Sequence, residues 1–477
     1  MRRALLAISL SFCICIALTA QITSYDRLTF AGQDLIGTSR YVGMGGAMAA
    51  VGGDASAASD NPAGLGLYRR SELMLTLDLQ MDYPSSGLHT NKFSCGQASW
   101  NFCFLNDRMK GVVSNNVMLH YRRLKNFYRD YNLSATNIDF SQTDVMADKT
   151  NGLKETYLQG EDAWNDTEIG WLSKIGYEGY LIDPDSVNPE MWNPSNLSSV
   201  NGKLHVQESG SMDEFAIGWG MNISNQWYVG AEMGIRSLSY SKSSYYNEVF
   251  GDGGRYHLDS YLNASGVGFV SKIGLLYRPT SFLRLGAAFH APVPMAVTLR
   301  NYGDLQAKNG MAVSVQSPDY TESPRDFAQP MRVVTGLAFQ ISTKGLLSLE
   351  YDYQHDPAKG VLDTHWTKVG LEAVIANNWF FNIGYAMRFR SFQNGQWADP
   401  ITEINYNSAR TDTEFANLKN AHFLSGGVSF RHKYVIIGAA YQCRLMTENV
   451  HFHELHYSPV ELATTSHKIV FTLSWRN

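Results

Sequence analysis

Residues 37–68 read GTSRYVGMGGAMAAVGGDASAASDNPAGLGLY, and residues 72–82, just beyond, read ELMLTLDLQMD. The two stretches obey opposite rules. Eight glycines in the first cost backbone entropy and offer no side chain to bury, so a long amphipathic helix or a sheet is not expected there. A compact plug seated inside another structure is. In the second, Leu73, Leu75, Leu77, Leu79 and Met81 share one face while Thr76, Asp78, Gln80 and Asp82 share the other, which is the period of a strand.

Working outward from Asp82, the same alternation recurs to the C-terminus. Trp227, Val229, Ala231, Met233 and Ile235 oppose Tyr228, Gly230, Glu232, Gly234 and Arg236; Leu347, Leu349, Tyr351 and Tyr353 oppose Ser348, Glu350, Asp352 and Gln354. Trp379, Phe381, Ile383, Tyr385, Met387 and Phe389 oppose Asn382, Gly384, Ala386 and Arg388. Strands are expected near 72–83, 93–106, 112–126, 204–223, 226–246, 257–278, 281–302, 327–342, 345–356, 363–376, 378–391, 420–431, 433–446 and 462–476. That is about fourteen, an even number within the bacterial barrel range.

Short connections at 106–111, 224–226, 278–281, 342–345, 376–378 and 431–433 alternate with mostly longer ones at 84–92, 127–203, 247–256, 303–326, 357–362, 392–419 and 447–461. This parity is the sidedness of an outer-membrane barrel, turns in the periplasm and loops outside. The expected fold is all-β: a transmembrane antiparallel β-barrel of about 14 strands with an N-terminal plug, or hatch, inside the lumen. Its expected divisions are a signal peptide at 1–20, the hatch at 21–71, and the barrel at 72–477 with a long extracellular insertion at about 127–203.

Composition agrees with a barrel. The chain has 477 residues, 17% charged and 12% aromatic, and a mean hydropathy of -0.22. Past the leader no apolar run approaches the ~20 residues of a transmembrane helix, so a membrane-spanning chain must cross with strands. The leader, MRRALLAISLSFCICIALTA, has the basic start, apolar middle and small-residue end of a secretory signal. Phe12 and Ile14 precede Cys13 and Cys15 where lipoprotein processing needs small residues. Without Arg2 and Arg3, 37 basic residues face 44 acidic ones, a net charge of -7, which is no nucleic-acid footprint. Cys95, Cys103 and Cys443 fit neither a disulfide framework nor a zinc spacing and read as small hydrophobes.

Charges on the polar face must avoid lipid, so Asp78, Glu232, Arg236, Lys272, Arg284, Arg332, Glu350, Asp352, Lys368, Glu372, Arg388 and Lys468 are expected in the lumen, paired with one another or with the hatch. Glu350 and Asp352 could support acid/base chemistry, but nearly every strand carries a similar charge, and ion pairing is the simpler reading. No nucleophile elbow is present, and Gly43-Met44-Gly45-Gly46 lacks the strand and helix of a dinucleotide site. No enzyme activity and no cofactor are expected.

His451, His453 and His456, in His-Phe-His-Glu-Leu-His, form the one metal-like cluster. A metal or haem role and an ordinary polar outer loop both fit; the ligand set has no defined geometry, so no metal is expected. The aromatics Trp164, Trp171, Tyr177, Tyr180 and Trp192 in the insertion read as an external cap, either a capture groove or a shield for the barrel mouth. Trp227, Trp366, Trp379, Trp475, Tyr434 and Phe282 are expected near the periplasmic strand ends as an interfacial girdle.

A glycine-rich stretch leading to Asp54-Ala55-Ser56 and then Asn61-Pro62-Ala63, just ahead of the strands, resembles the N-terminal hatch of the FadL/TodX family of outer-membrane transporters for hydrophobic compounds. The resemblance implies passive uptake of long-chain fatty acids or aromatic hydrocarbons across a bacterial outer membrane, with exit through an opening in the barrel wall. It implies a hydrophobic small molecule in the lumen, and outer-membrane lipid, lipopolysaccharide and the barrel-assembly machinery as partners. Asn61, Pro62 and Ala63 are then the hatch motif, with Asp54 and Asp60 placed to pair with lumen arginines. A relative of the same barrel family serves a secretion system by binding cargo at the surface, which is one alternative; a general porin is another.

Overall fold

The computed structural model describes residues 22, 24–105, 110–138, 140–166, 169–195, 200–321, 324–356, 363–376, 378–390 and 409–477. The expected leader at 1–20 lies outside them. Fourteen antiparallel strands close a barrel. They are β1 (Glu72–Pro84), β2 (Thr90–Leu105), β3 (Val112–Asn126, continued by Arg129–Ile138), β4 (Val200–Ile223), β5 (Trp227–Phe250), β6 (Arg255–Tyr277) and β7 (Leu283–His290, continued by Val293–Asn309). β8 (Arg325–Gln329 and Met331–Ser342), β9 (Gly345–His355), β10 (Thr364–Ile375), β11 (Trp379–Arg390), β12 (Phe415–His432), β13 (Val435–His451) and β14 (Val460–Arg476) complete it. Each pairs with the next, and β14 returns to β1 from Glu72↔Arg476 to Pro84↔Thr464. Closure removes the two outer edges of an open sheet, as a sheet standing in hydrocarbon requires.

Local chemistry explains the breaks and turns. β7 is interrupted at Pro292 and β8 at Pro330, where proline has no N–H for the ladder. Ser224 and Asn225 both have positive φ, which suits the tight three-residue connection 224–226 between β4 and β5 to the strand twist. The insertion begins later than position 127: Arg129–Ile138 prolongs β3 along β4, because its polar alternation continues the ladder beyond the lipid-facing part.

The wall is inside-out relative to a soluble sheet. Ile273 (61% exposed), Phe215 (58%) and Leu473 (53%) face outward, while Glu232, Asp352 and Lys368 are buried within; this is the pattern of a barrel bathed in lipid. Among the described residues no helix is long and apolar enough to cross a membrane. Trp227, Phe282, Trp379, Tyr434 and Trp475 are exposed at the short-turn ends of their strands. Trp366 is not. Its register puts it in the lumen, 4% exposed, between the Lys368 and Arg388 cations at 5.7 and 5.6 Å from its ring.

Four helical pieces of the N-terminal segment lie in the lumen: α1 (Ser24–Ala31), α2 (Ser39–Gly43), α3 (Ala55–Asp60) and a 3₁₀ turn (Pro62–Leu67). At the opposite, long-loop end the cap helices α4 (Gln142–Thr150), α5 (Glu155–Leu158) and α6 (Trp171–Glu178), with a 3₁₀ turn (Glu161–Asn165), bury Val145, Met146, Trp164, Trp171 and Ile175 against Tyr246, Tyr256 and Phe452 at the barrel mouth. The cap therefore shares one apolar core with the rim beneath it.

Candidate functional site

The inward face of β5 is a ruler through the lumen: Tyr228, Gly230, Glu232, Arg236, Leu238, Tyr240 and Lys242 rise in order from the short-turn end. Each level holds a different part of the N-terminal segment.

At the lowest level sits the Asn61-Pro62-Ala63 turn. Asn61 Oδ1 accepts from Ala63 N at 3.2 Å, and its Nδ2 donates to Ala49 O at 2.8 Å and to Leu275 O of the wall at 3.3 Å. Pro62 opens the 3₁₀ turn, where its fixed φ suits a first helical residue. The turn rests on a row of directly paired wall glycines, Gly220↔Gly230↔Gly274. A Cβ on Gly230 would collide with Pro62, and one on Gly274 with Asn61. Sequence reasoning missed these glycines, although a glycine inside a strand is a signal of close backbone approach.

Asp54 departs from expectation. Its carboxylate caps α3 by accepting from Ser56 N at 2.9 Å and takes the Thr38 hydroxyl at 2.8 Å, the ordinary use of an aspartate at a helix start. The nearby Arg40 goes to Glu372 of the wall, through two bonds of 2.6 and 2.8 Å.

One level up is a buried layer of ion pairs. Asp60 receives Arg122 at 3.1 Å and Arg332 at 3.2 Å, and the Tyr41 hydroxyl donates to it. Burial pushes the Asp60 carboxyl up, but Arg332 and Arg122 outweigh it and hold the group well below the usual carboxylate range. Arg332 also binds Asp352. Lys368 binds Glu350 at 2.7 Å, and Glu350 accepts Met48 N at 2.9 Å and Ala49 N at 2.7 Å from the hatch. Lys272 joins Glu214 at 2.5 Å and Glu232 at 2.6 Å while donating to Ser59 O at 3.2 Å. Arg236 pairs with Glu214 and reaches Gln329, whose amide donates to Phe30 O at 2.8 Å. Charges buried this deeply persist only when each is paired.

The structure thus gathers Asp60, Glu232, Arg236, Glu350 and Asp352 into one layer. Arg284 lies apart, donating to Val51 O at 3.0 Å, and Arg388 lies higher, over Trp366 and 3.6 Å from Met446 Sδ. Arg122, His120, Glu214 and His290 of the layer were not foreseen. The donor atoms of His120, Glu214 and Glu232 come within 4.8 Å of one another, but the Lys272 ammonium already bridges the two glutamates, so the set has its cation.

His451, His453 and His456 are buried, not exposed on an outer loop. His451 Nδ1 donates to His456 O at 2.7 Å, and His456 Nδ1 accepts Phe452 N at 3.1 Å, so one ring nitrogen of each of these two histidines holds the turn. Burial, reinforced by its two histidine neighbours, pushes His453 down to about 3.

Above the ion layer lies an apolar chamber of Leu124, Met212, Leu238, Val270, Met295 and Val297. It is filled by Phe30 of α1, which is fully buried with ring edges against Tyr240 (5.3 Å), Phe327 (6.2 Å) and Phe127 (6.5 Å). Near its start α1 is also held by Arg27 to Asp356 at 2.6 Å and by Arg410 to Asp26. Arg410 belongs to a stretch, 409–414, that also turns into the mouth and binds Lys242 through Asp412 and Glu414 at 2.9 and 2.6 Å.

Beside this chamber the wall is slit. β2 and β3 pair only from Leu105↔Ser114 to Gln97↔Arg122. Above that row β2 stays with β1 as far as Thr90↔Asp82, and β3 follows β4 as far as Ile138↔Val200. The hatch closes the slit from inside: Asp34 N donates to Leu124 O at 2.9 Å, and Lys125 reaches Thr29 O at 2.6 Å. Outside, from the next row down, Ala98 and Tyr121 border an apolar groove of about 610 Å³ lined also by Trp100, Leu119, Phe215 and Ile235.

No family model and no curated protein matches the sequence. Solved structures do. A FadL homologue of Pseudomonas aeruginosa superposes with a TM-score of 0.54 at 12% identity, over 93% of this chain and 98% of that one. The toluene transporters TodX of Pseudomonas putida and TbuX of Ralstonia pickettii each give 0.51 at 14% identity, over 93% of this chain and 99% of theirs. At such identities the likeness establishes a shared barrel fold.

Proposed function

We propose that the protein is an outer-membrane channel for passive uptake of hydrophobic compounds, and that it favours small aromatic solutes over long-chain fatty acids. The observation that carries the reading is Phe30: a benzene ring supplied by the chain itself occupies an aromatic-walled chamber next to a slit in the wall. A solute entering beneath the cap competes with that ring, α1 withdraws, and residues 29–36 uncover the slit. The solute then leaves sideways into lipid, which avoids the cost of carrying an apolar molecule through water.

In this reading Asp60 and the Asn61-Pro62-Ala63 turn do not move; they hold the lower hatch against the wall. The paired layer around Asp60 also argues against a general porin, which needs an aqueous path, and the cap's tryptophans shield the mouth. Insertion into the outer membrane brings the barrel-assembly machinery and lipopolysaccharide as partners. The test is uptake of labelled toluene and labelled oleate by cells with and without the gene. Faster toluene entry with the gene, and little change for oleate, is expected; equal toluene entry with and without it rejects the proposal.

A further inference from the structure

We infer that the short-turn end of the barrel carries a binding port for a small organic carboxylate, formed where the hatch loop 51–53 meets β7, the β8–β9 turn and β10. A cavity of about 250 Å³ opens there. It is just under the size of pockets for drug-sized molecules and suits a ligand of one ring or a short chain. Arg284, Lys344 and Arg40 supply its charge, and Leu67, Leu346 and Val374 its apolar side. Gly52 and Gly53, both at positive φ, turn the hatch loop past the cavity and add no side chain to fill it.

The three cations differ in what they already hold. Arg40 is engaged, with two bonds to Glu372 at 2.6 and 2.8 Å. Arg284 is not. A guanidinium offers five N–H donors, and among the described residues this one makes a single bond, to Val51 O at 3.0 Å. The charged neighbours that act on it are Arg278 and Arg40, both cations. Lys344 is exposed in the β8–β9 turn and pairs with no carboxylate among the described residues. A half-buried guanidinium beside like charges attracts an anion more strongly than the same group in open water does.

The surroundings carry the same sign. Within four residues of the short-turn strand ends, and in the described turns, the wall has two acidic side chains, Glu72 and Glu372. Arg476 holds the first at 2.7 Å and Arg40 the second at 2.6 Å. Arg69, Arg70, Lys110, Arg431 and Lys433 stand exposed at the same end. A positive rim around a cleft raises the local concentration of anions. The side formed by Leu67, Leu346 and Val374 offers no bond to a wholly polar anion such as phosphate, and covers a hydrocarbon body well. The planar fork of Arg284 matches a carboxylate, so the ligand is a carboxylate with a small apolar part.

The port needs only a hatch seated against the wall, so its test and that of the uptake reading fail independently. Full-length protein in dodecyl maltoside is dialysed to equilibrium against labelled benzoate, with benzyl alcohol as the uncharged match and inorganic phosphate as a competitor. Wild type should bind benzoate, and Arg284→Gln and Lys344→Gln should each weaken it about tenfold or more, the loss expected for one charged hydrogen bond. The amide of the first variant can still reach Val51 O, and the second changes an exposed turn residue, so both keep the hatch seated. Benzoate affinity unchanged in either variant, no benzoate bound by wild type, or benzyl alcohol bound as tightly overturns the port. So does phosphate that displaces labelled benzoate better than unlabelled benzoate does.

Discussion

The two halves of the lumen segment are held by different physics. From Ser39 to Leu67 the chain is fixed by directional bonds: Asp60 to Arg122 and Arg332, Glu350 to the Met48 and Ala49 amides, Asn61 to the wall. From Ser24 to Ala31 it is held by one buried ring in an apolar chamber and, near the helix start, by the ion pairs of the adjacent Asp26 and Arg27. An apolar solute can replace a phenyl ring at little net cost, because both bury similar surface. It cannot replace a buried arginine's carboxylate. The lower half is therefore an anchor and the upper half is the part a hydrophobic ligand can exchange with.

The comparison breaks most severely at Asp60. Asp60→Ala leaves Arg122 and Arg332 buried beside each other without their shared anion and should cost about 3–5 kcal/mol, read as a lower unfolding midpoint in lipid nanodiscs and as protease cleavage within 39–67. Gly230→Val forces a side chain into Pro62 and should cost about 1–3 kcal/mol by overpacking, with the same cleavage appearing more weakly. Phe30→Ala should change global unfolding by less than about 1 kcal/mol, since α1 can open locally, while toluene entry rises because the chamber has lost its occupant.

Acidification sharpens the contrast by doing nothing. The Asp60 carboxyl is depressed below its unfolded value, so its stabilisation is complete above the ordinary carboxylate range and disappears only as pH falls through the depressed value. Protease resistance of the lower hatch should be the same at about pH 7 and about pH 5; cleavage that appears at the lower value would show that Asp60 is not the anchor.

Much of this fold is written in local pattern. Period-2 runs such as Leu73 to Met81 place strands, and the parity of short and long connections places the two ends, because both depend only on neighbouring residues. The site is less legible for identifiable reasons. In Leu119-His120-Tyr121-Arg122-Arg123-Leu124, adjacent arginines leave the faces undecided. The structure sends Arg122 inward to Asp60 and Arg123 outward to Asp213. Asp54 looked like an ion-pair partner and is a helix cap, since a cap depends on where the helix begins. The slit is the absence of pairing between two good strands, and Phe30 precedes the glycine-rich motif. Register, not composition, makes both meet.

The most direct measurement is amide hydrogen exchange of the full barrel in nanodiscs, with and without saturating toluene. The account predicts faster exchange in residues 24–34 when toluene is present and no change in 39–67. Equal protection of 24–34 with and without toluene, or loosening of 39–67 ahead of it, would contradict it.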